Sequence, residues 1–319
     1  MGMKMLFQRE LGDEWMQKIR DLGVETVLIR SEAEALTHIP EAEAYYGRPS
    51  PSVLAAAKRL RWIQAPSAGL DHYFYPELRE HPATVTSMRG IYSDVIADHV
   101  CAYILSFARG MHHYVRRQVE GVWQRGAPVI HLGGTTLGIV GLGGIGLEVA
   151  KRGHAFGMRI VAVDPAPKAR PDYVEAIHDP EALLTVLAES DFVVICTPHT
   201  GETEYMIDGA ALETVRSTAV LVNVGRGKVV DLEALTWALQ EGAIGGAGLD
   251  VFEIEPLPEG HPLWEMDNVM ITPHLAGVSP EVEGRRMGTI VENVRRFKNG
   301  EPLLNVVDKA RGYVVEPNP

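Results

Sequence analysis

Six short, almost continuously apolar runs alternate with helical segments from residue 137 onward, and this alternation constrains the fold more than any other feature of the chain. The runs are "LGIVG" (137–141), "RIVAVD" (159–164), "FVVICTP" (192–198), "AVLVNVG" (219–225), "GGAGLDVF" (245–252) and "NVMITPH" (268–274). Strands that are apolar on both faces are typical of a parallel sheet covered by helices on both sides. The pattern therefore predicts a doubly wound α/β domain.

The rest of the chain indicates a second α/β domain, because 319 residues exceed one typical core. Residues 1 to about 100 carry weaker strand and helix signals and no phosphate-binding turn: "VETVLI", "SVLAAAKRL", "RWIQAPSAGLD" and "ATVTSM". Residues 94–121 predict one long helix that bridges the domains. A last helix over about 279–298 and the following "PLLNVV" are surplus to the six-strand domain, so we expect them to return to the first domain.

A glycine-rich turn follows the first of the six runs, where Gly141, Gly143 and Gly146 have the spacing G-x-G-x-x-G. Such a turn alone is a weak signal, but here a strand precedes it and a helix follows it. The first glycine permits the tight turn, the second lets the backbone approach a pyrophosphate, and the third allows close packing of the helix on the strand. Because a helix N-terminus attracts negative charge, the turn predicts a dinucleotide site.

Asp164 ends the next strand, 18 positions beyond Gly146, and indicates which dinucleotide is bound. Its carboxylate would accept hydrogen bonds from the adenosine ribose hydroxyls and repel a 2′-phosphate. The sequence therefore favours NAD as the cofactor, with NADP the less favoured alternative. Lys168 and Arg170 follow closely and would soften this preference.

Reactive side chains stand at three later strand exits, on the edge of the sheet where ligands of such domains bind. Arg226 follows the run 219–225, and His274 ends the run 268–274. An arginine can hold the carboxylate of a 2-keto acid and polarise its carbonyl. A histidine can exchange the proton of the resulting hydroxyl while a carboxylate fixes its tautomer. Three acids remain eligible for that last role: Asp250, Glu253 and Glu255.

The motifs that carry these residues occur in one order along most of the chain: "GIVGLGGIG", "VNVGRGKVVD", "GLDVFEIEPLP" and "ITPHLAG", with weaker matches in "RWIQAPSAGLDH" and "IADHV". In these motifs the chain resembles the D-isomer-specific 2-hydroxyacid dehydrogenase family, which includes glyoxylate/hydroxypyruvate reductases and D-3-phosphoglycerate dehydrogenases. The resemblance implies an NAD-dependent oxidoreductase that acts on a small D-2-hydroxy acid or its 2-keto form.

The resemblance also implies a role for individual residues. Arg226 would bind substrate, His274 would be the acid/base, and Glu255 would be the partner of the histidine. Backbone groups of Ser67, Ala68 and Gly69 would bind the substrate carboxylate, and Arg226 and His274 would also contact the substrate. The resemblance implies further cofactor contacts besides the three glycines and Asp164. Thr197 and Pro198 would line the adenine side, and Asp250 would bind the nicotinamide end. The other implied contacts are Gly144, Ile145, Val224, Gly225, Arg226, His274 and Gly277.

The implied architecture has a Rossmann domain (99–284) inserted into a discontinuous, flavodoxin-like substrate domain (1–98 and 285–319). The two would close on the substrate by a hinge motion, and members of the family usually form homodimers. Substrate choice would depend on the loops 45–48, 67–74 and 88–94. Asp98 and "MRGIYSDV" depart from the family pattern, which puts the identity of the substrate in doubt. The chain ends at "VVEPNP" without a regulatory domain, so feedback control is not expected.

Charge and composition limit the possible partners. A net charge of -12 argues against a nucleic-acid surface. No apolar run approaches the roughly 20 residues of a membrane span, and the first residues do not form a secretion signal. Cys101 and Cys196 lie far apart in apolar runs, so we expect no disulfide, no metal site and a cytoplasmic location.

The sequence leaves one alternative function open and argues against a second. The first is an NAD(H)-sensing regulatory protein similar to the corepressors of the same superfamily, although their additional peptide-binding segments have no obvious counterpart in this chain. The second is formate dehydrogenase activity, in which the histidine is paired with a neutral amide; the carboxylate of Glu255 argues against it.

Overall fold

The computed structural model describes residues 2–71, 73–166 and 169–314. The chain forms two compact units: the first comprises Met1–Ile91 and Ser279–Pro319, and the second comprises Tyr92–Val278. The sequence placed the domain boundaries a little further along, at 98/99 and 284/285. The helices that begin near these points, at Ser93 and Pro280, each lie entirely within one unit.

The first unit is built on a five-stranded parallel sheet. Its strands are β1 (Lys4–Phe7), β2 (Glu25–Leu28), β3 (Ala44–Tyr46), β4 (Trp62–Gln64) and β5 (Thr84–Thr86). Its first four helices are α1 (Asp13–Asp21), α2 (Glu32–His38), α3 (Pro51–Ala56) and α4 (Pro76–Glu80). The strand order is β2-β1-β3-β4-β5, which is the flavodoxin-like order and confirms the predicted fold class.

The second unit begins with two helices where the sequence predicted one. These are α5 (Ser93–Ala108) and α6 (Met111–Val119). The prediction of a single helix over 94–121 is wrong because Gly110 adopts a left-handed conformation with φ of 64°. This conformation is accessible to glycine at little cost and ends α5.

A seven-stranded parallel sheet forms the core of the second unit. Its strands are β6 (Thr136–Val140), β7 (Arg159–Val163), β8 (Ala176–His178), β9 (Phe192–Ile195), β10 (Val220–Asn223), β11 (Gly246–Leu249) and β12 (Val269–Ile271). Its remaining helices are α7 (Gly144–Ala155), α8 (Leu183–Glu189), α9 (Gly209–Thr214) and α10 (Leu232–Gln240). All six predicted strands are present, and the half-buried edge strand β8 is additional.

Side chains of the central strands alternate between two cores. On β9, Val193 and Ile195 pack in one apolar cluster, whereas Phe192 and Val194 pack in the other. Both faces of the sheet are therefore covered, which explains why its strands are continuously apolar in sequence.

The order of this sheet is β12-β11-β10-β9-β6-β7-β8. The chain leaves β6 towards β7 and later returns to the other side of β6 at β9. The carboxyl ends of β6 and β9 thus flank a topological switch point, where ligands bind in open α/β sheets.

The last helix, α11 (Pro280–Asn299), belongs to the first unit. It begins at Ser279, whose side chain accepts a hydrogen bond from the Glu281 amide. Beyond it, Val306 forms an antiparallel bridge with Thr86 of β5. The C-terminal segment is thus part of the first unit.

Candidate active site

The turns that follow five strands of the second unit lie at one edge of its sheet, because all these strands are parallel. Gly141 follows β6, Thr197 follows β9, Arg226 follows β10, Asp250 follows β11, and His274 follows β12. The strand order places the last four turns side by side, next to that of β6.

Close backbone contacts join these turns. A Cβ atom built on Gly141 would lie 2.9 Å from Thr197 Cγ2, and one built on Gly225 would lie 2.6 Å from the Thr197 carbonyl oxygen. A Cβ atom on Gly227 would lie only 1.9 Å from the Phe252 carbonyl carbon. The three glycines therefore allow the turns after β6, β9, β10 and β11 to form one continuous surface.

His274 and Glu255 form a hydrogen-bonded pair on this surface. The distance from Nδ1 of His274 to Oε2 of Glu255 is 2.7 Å. A carboxylate only accepts, so the Nδ1–H group donates and Nε2 is left as the proton-exchanging atom. The other oxygen of Glu255 accepts the Phe252 amide at 3.0 Å, which fixes the carboxylate. Of the three acids that the sequence left eligible, Glu255 is the one whose carboxylate binds the histidine ring.

The backbone at His274 is held in a conformation that a non-glycine residue rarely adopts, with φ of 51°. Its amide donates to the Asp250 carbonyl at 2.9 Å. The Asp250 carboxylate, only 2% exposed, accepts the next two amides, those of Leu275 and Ala276, at 2.9 and 3.0 Å. The sequence placed Asp250 at the nicotinamide end of the cofactor; in this structure it holds the loop that carries His274.

Thr272 connects Asp250 to two aromatic side chains of α5. Its Oγ1 lies 2.5 Å from Asp250 Oδ1, which can only accept, so the Thr272 proton goes to Asp250. Oγ1 then accepts from His99 Nε2 at 3.0 Å and from the Tyr103 hydroxyl at 2.6 Å. His99 must therefore carry a proton on Nε2. Burial lowers the pKa of His99, against the opposite effect of Asp250, and favours the neutral ring.

Arg226 is half-buried, and Asn223 shapes the turn that presents it. The Asn223 side chain accepts the Gly225 amide at 3.0 Å and donates to the Arg226 carbonyl at 3.0 Å. Arg226 Nη1 donates to the Gly225 carbonyl at 2.7 Å. The guanidinium is thus held at the exit of β10, where the sequence placed it.

The glycine turn has the geometry that a dinucleotide requires. A Cβ atom on Gly146 would lie 2.2 Å from the Gly141 carbonyl oxygen, so α7 packs directly on the turn. A Cβ atom on Gly143 would meet nothing within 4 Å, which leaves its backbone accessible. Gly144 and Ile145 open α7, whose first amides point out of the helix.

A buried hydroxyl beside this turn provides a second indication of a ligand. Thr197 is 8% exposed, and its Oγ1 has no hydrogen-bond partner among the described residues. Buried polar atoms are nearly always paired in native proteins. The cradle and this hydroxyl fit a bound dinucleotide between the turns after β6 and β9.

Asp164 lies at the end of β7, as the sequence predicted, and is 9% exposed. Its Oδ2 accepts the Leu142 amide at 2.7 Å, and its Oδ1 accepts the Ala166 amide at 2.9 Å. The carboxylate therefore faces the glycine turn. Arg170 donates to the Val174 carbonyl, whereas Lys168 lies outside the described residues.

The remaining expected contacts divide between the two units. Pro198, Val224 and Gly277 lie in the turns after β9, β10 and β12 of the second unit. Ser67, Ala68 and Gly69 belong to the first unit, in the loop after β4. The amides of these three residues donate to no acceptor within the described part of the chain. Successive free amides of this kind can bind an anion.

Three positioning residues were not predicted from the sequence: Asn223, Thr272 and Tyr103. Asn223 could have been found, since it is a polar residue at the end of an otherwise apolar strand, directly before the glycine and arginine of the turn. Thr272 and Tyr103 act through contacts 169 residues apart in sequence, which no local pattern reveals. Asp98, which departs from the family pattern, is exposed and binds Arg152 at 2.8 Å between α5 and α7.

The described residues hold no group of three or more His, Cys, Asp or Glu side chains arranged for a metal ion. Within the same ranges, every helix falls short of the length and apolar character that crossing a bilayer demands.

Comparisons with known proteins show which family the chain resembles. The family model "D-isomer specific 2-hydroxyacid dehydrogenase, NAD binding domain" matches residues 101–276. A glyoxylate reductase of Korarchaeum cryptofilum is 40% identical over 263 residues, which cover 81% of this chain and 79% of that protein. A glyoxylate reductase of Thermococcus kodakarensis is 35% identical over 329 residues, covering 99% and 95%. A D-isomer specific 2-hydroxyacid dehydrogenase from Xanthobacter autotrophicus, solved with NADPH and MES, superposes with a TM-score of 0.83 at 32% identity, covering 98% and 100%.

Proposed function

We propose that this chain, which belongs to the D-isomer-specific 2-hydroxyacid dehydrogenase family, interconverts a small 2-keto acid and its D-2-hydroxy acid, with glyoxylate and hydroxypyruvate among its substrates. Membership of this family shows that the chain is an NAD(P)-dependent oxidoreductase acting on 2-keto or 2-hydroxy acids. The observation that carries the assignment of roles is the 2.7 Å bond between His274 and Glu255, at the same sheet edge as Arg226.

Proton transfer is the role of His274. Glu255 accepts its Nδ1–H group, so Nε2 is the atom that delivers a proton to the developing alkoxide during reduction. In the oxidative direction the same nitrogen removes the hydroxyl proton. Glu255 also stabilises the imidazolium that forms in this direction, as a carboxylate does beside a catalytic histidine. Bound NADH supplies the hydride for reduction.

Substrate binding is the role of Arg226 and of the loop after β4. The guanidinium of Arg226 offers two parallel donors to a carboxylate or to the adjacent carbonyl oxygen. The free amides of Ser67, Ala68 and Gly69 offer further donors to the carboxylate. Arg226 would also polarise the carbonyl of the keto group.

NAD is proposed as the preferred cofactor. Asp164 carries its negative charge beside the glycine turn, where a 2′-phosphate would be repelled. The Xanthobacter relative was solved with NADPH, so this preference is the part of the cofactor assignment that needs a direct test.

A homodimer is proposed from an exposed apolar face of α6. Met111, Val115 and Val119 follow one another at intervals of four residues and are 47%, 53% and 86% exposed. Trp123, just beyond the helix, is 98% exposed. Contiguous exposed apolar side chains mark contact surfaces. Light scattering should give twice the mass of one chain. The double variant Val115→Glu, Val119→Glu should lower this mass to that of a monomer.

A cytoplasmic location is proposed from cysteine chemistry. Cys101 and Cys196 are both free thiols, which a reducing compartment maintains.

The proposed function is tested by following NADH absorbance with a panel of glyoxylate, hydroxypyruvate, pyruvate and longer 2-keto acids. His274→Ala should abolish turnover while leaving NADH affinity nearly intact, because the imidazole exchanges only the substrate proton. His154→Ala, an exposed change on α7, is the matched control and should retain wild-type turnover. An unchanged kcat in His274→Ala would refute the role. NADH binding without turnover of any panel member would favour the regulatory alternative.

A further inference from the structure

A network of buried polar side chains supports the loop 67–69, which the proposed function assigns to the substrate carboxylate. Its members Gln64, Thr86 and Asn293 are fully buried. Gln64 Oε1 accepts the Thr86 hydroxyl at 2.8 Å and Asn293 Nδ2 at 3.0 Å. Gln64 Nε2 donates to the Ala65 carbonyl at 3.0 Å. The network thus joins β4, β5 and α11, and it ends on the residue that directly follows β4.

This network fixes the backbone more precisely than apolar packing would. Burying a polar group costs free energy unless the group is hydrogen-bonded. Thr86 Oγ1 also accepts Trp62 Nε1 at 2.8 Å, so donors and acceptors in the network are matched. Apolar side chains of the same shape would fill the space without any such matching. Because hydrogen bonds require defined directions, the network holds the Ala65 carbonyl in one position.

Asn293 also anchors the chain that follows α11. Its Oδ1 accepts the Leu304 amide at 2.8 Å, and its Nδ2 donates to the Leu304 carbonyl at 3.2 Å. Val306 forms the antiparallel bridge with Thr86 of β5. Asn305 lies between these two anchored residues and is therefore held against the carboxyl end of β5.

Asn305 binds the chain after β5 at two points, one on either side of Met88. Its carbonyl accepts the Ser87 amide at 3.0 Å, and its Nδ2 donates to the Arg89 carbonyl at 2.9 Å. Its backbone has φ of 57°, a left-handed conformation that asparagine adopts more readily than most other residues. Asn305 is buried, so water competes little for these bonds. Residues 87–89 are therefore fixed by one side chain and its own backbone.

Met88 links these residues to the loop 67–69. Its amide donates to the Ser67 carbonyl at 3.0 Å. The Ser67 carbonyl and the Ala68 amide belong to one planar trans peptide group, in which the C=O and N–H bonds point in opposite directions. The bond to Met88 therefore turns the Ala68 N–H group away from Met88. The Ser67 hydroxyl donates to the Gly69 carbonyl at 2.8 Å and closes the loop.

We propose that Asn305 is a positioning residue for the substrate carboxylate. It holds residues 87–89, which place the Met88 amide on the Ser67 carbonyl, and the free amides of the loop 67–69 are thereby kept in the orientation that binds the carboxylate. This inference rests on the proposed function and deepens it, because it gives the chain after α11 a part in substrate binding. The contact of Asn305 with Arg89 spans 216 positions of the sequence.

The experiment measures substrate binding in Asn305→Gly, with NADH saturating and at a temperature well below Tm. Glycine removes the side-chain donor and still adopts the left-handed backbone. We expect KM for glyoxylate to rise roughly 5- to 30-fold, as for the loss of one hydrogen bond to a charged group. We expect kcat to stay within roughly 2-fold, because the loop binds the carboxylate equally in the ground state and the transition state.

Two further measurements separate positioning from stability. Oxamate, which has a carboxylate beside a carbonyl and is not reduced, should bind the enzyme–NADH complex with a Kd raised by the same factor as KM. NADH affinity should be unchanged, because the turns that fit the dinucleotide belong to the second unit. Nucleotide fluorescence reports both affinities without turnover.

Two other variants complete the test. Asn305→Asp keeps the size of the side chain but faces the Arg89 carbonyl with an acceptor, so KM should rise at least as much as in Asn305→Gly. Asn299→Gly is the matched control. Asn299 is the exposed last residue of α11, and its side chain binds that of Glu301 at 3.0 Å. This variant should have the KM of wild type.

The outcomes separate the two proposals. If the wild-type enzyme neither reduces a 2-keto acid nor binds oxamate, the proposed function fails and this inference fails with it. If the wild-type enzyme is active and Asn305→Gly or Asn305→Asp keeps its KM and its Kd for oxamate, the function stands and the role of Asn305 is refuted. A loss of kcat and NADH affinity as large as the rise in KM would show a merely structural role and would also overturn the inference.

Discussion

Replacing Glu255 by glutamine tests the catalytic pair with the smallest possible change in shape. Both oxygens of Glu255 act as acceptors: one binds Nδ1–H of His274 at 2.7 Å, and the other binds the Phe252 amide at 3.0 Å. Glutamine has one acceptor and one donor at these positions. Whichever way the amide is turned, an N–H group faces another N–H group, so one of the two bonds is lost.

The expected fall in kcat of the Glu255→Gln variant follows from the hydrogen bond that is lost. A hydrogen bond to a charged group contributes about 1.5–3 kcal/mol. The side chains of His274 and Glu255 are 53% and 36% exposed, so solvent reduces the interaction towards the lower end. Since the carboxylate also orients the protonated imidazole that reduction requires and favours its charge, we expect kcat for reduction to fall roughly 10- to 30-fold.

The assay is steady-state kinetics with NADH and glyoxylate or hydroxypyruvate, together with NADH binding measured by fluorescence. Glu253→Gln is the matched control, because its carboxylate accepts the Leu232 amide at 2.8 Å and the Tyr205 hydroxyl at 3.2 Å and does not bind His274. We expect Glu253→Gln to retain kcat. Equal kcat values for the two variants, or a loss confined to Glu253→Gln, would refute the assignment of Glu255.

Two further predictions concern the cofactor and pH. Asp164→Ala should lower the ratio of kcat/KM with NADH to that with NADPH by roughly 10-fold or more, because a carboxylate that binds ribose and repels phosphate is removed. Asp172→Ala, an exposed change, is the control. An unaltered ratio in Asp164→Ala would show that the ribose lies elsewhere. Stability should fall as pH decreases below about 6.5, measured by urea unfolding between pH 7 and 5. Burial lowers the pKa of three histidines in the folded chain, so the unfolded chain binds more protons between pH 7 and 5. Acidification therefore lowers the free energy of unfolding. A flat profile would contradict these pKa shifts. The histidines are His81, His99 and His112.

The second unit was predicted well from sequence because its strands are apolar on both faces and its turns carry glycines. The first unit was harder to predict. Its strands are three or four residues long, and neither β1, "KMLF", nor β3, "AYY", contains a β-branched residue. Local propensity is weak in such short segments, and packing in the tertiary structure decides their conformation.

The prediction of one unbroken helix over 94–121 failed at Gly110 for a different reason. Apolar residues continue at helical spacing from Val100 through Met111, so periodicity predicts an unbroken helix. A glycine within such a pattern signals a break only when its φ is positive, and φ is not visible in the sequence. The break separates the buried α5 from the exposed apolar face of α6, which is the surface proposed for the dimer.

The predictability of each functional residue depends on how its contacts are distributed along the chain. Glu255 and His274 follow the ends of parallel strands, and a parallel sheet brings these ends together whatever their separation in sequence. The topology alone therefore predicted that the two residues are near each other. The Thr197 hydroxyl differs, because its importance lies in the lack of a hydrogen-bond partner among the described residues. An absent contact leaves no trace in a sequence motif and becomes evident only when burial and hydrogen bonding are considered together. For this reason the chemistry of the reaction was accessible from the sequence, whereas the indication of a ligand at the Thr197 hydroxyl required the structure.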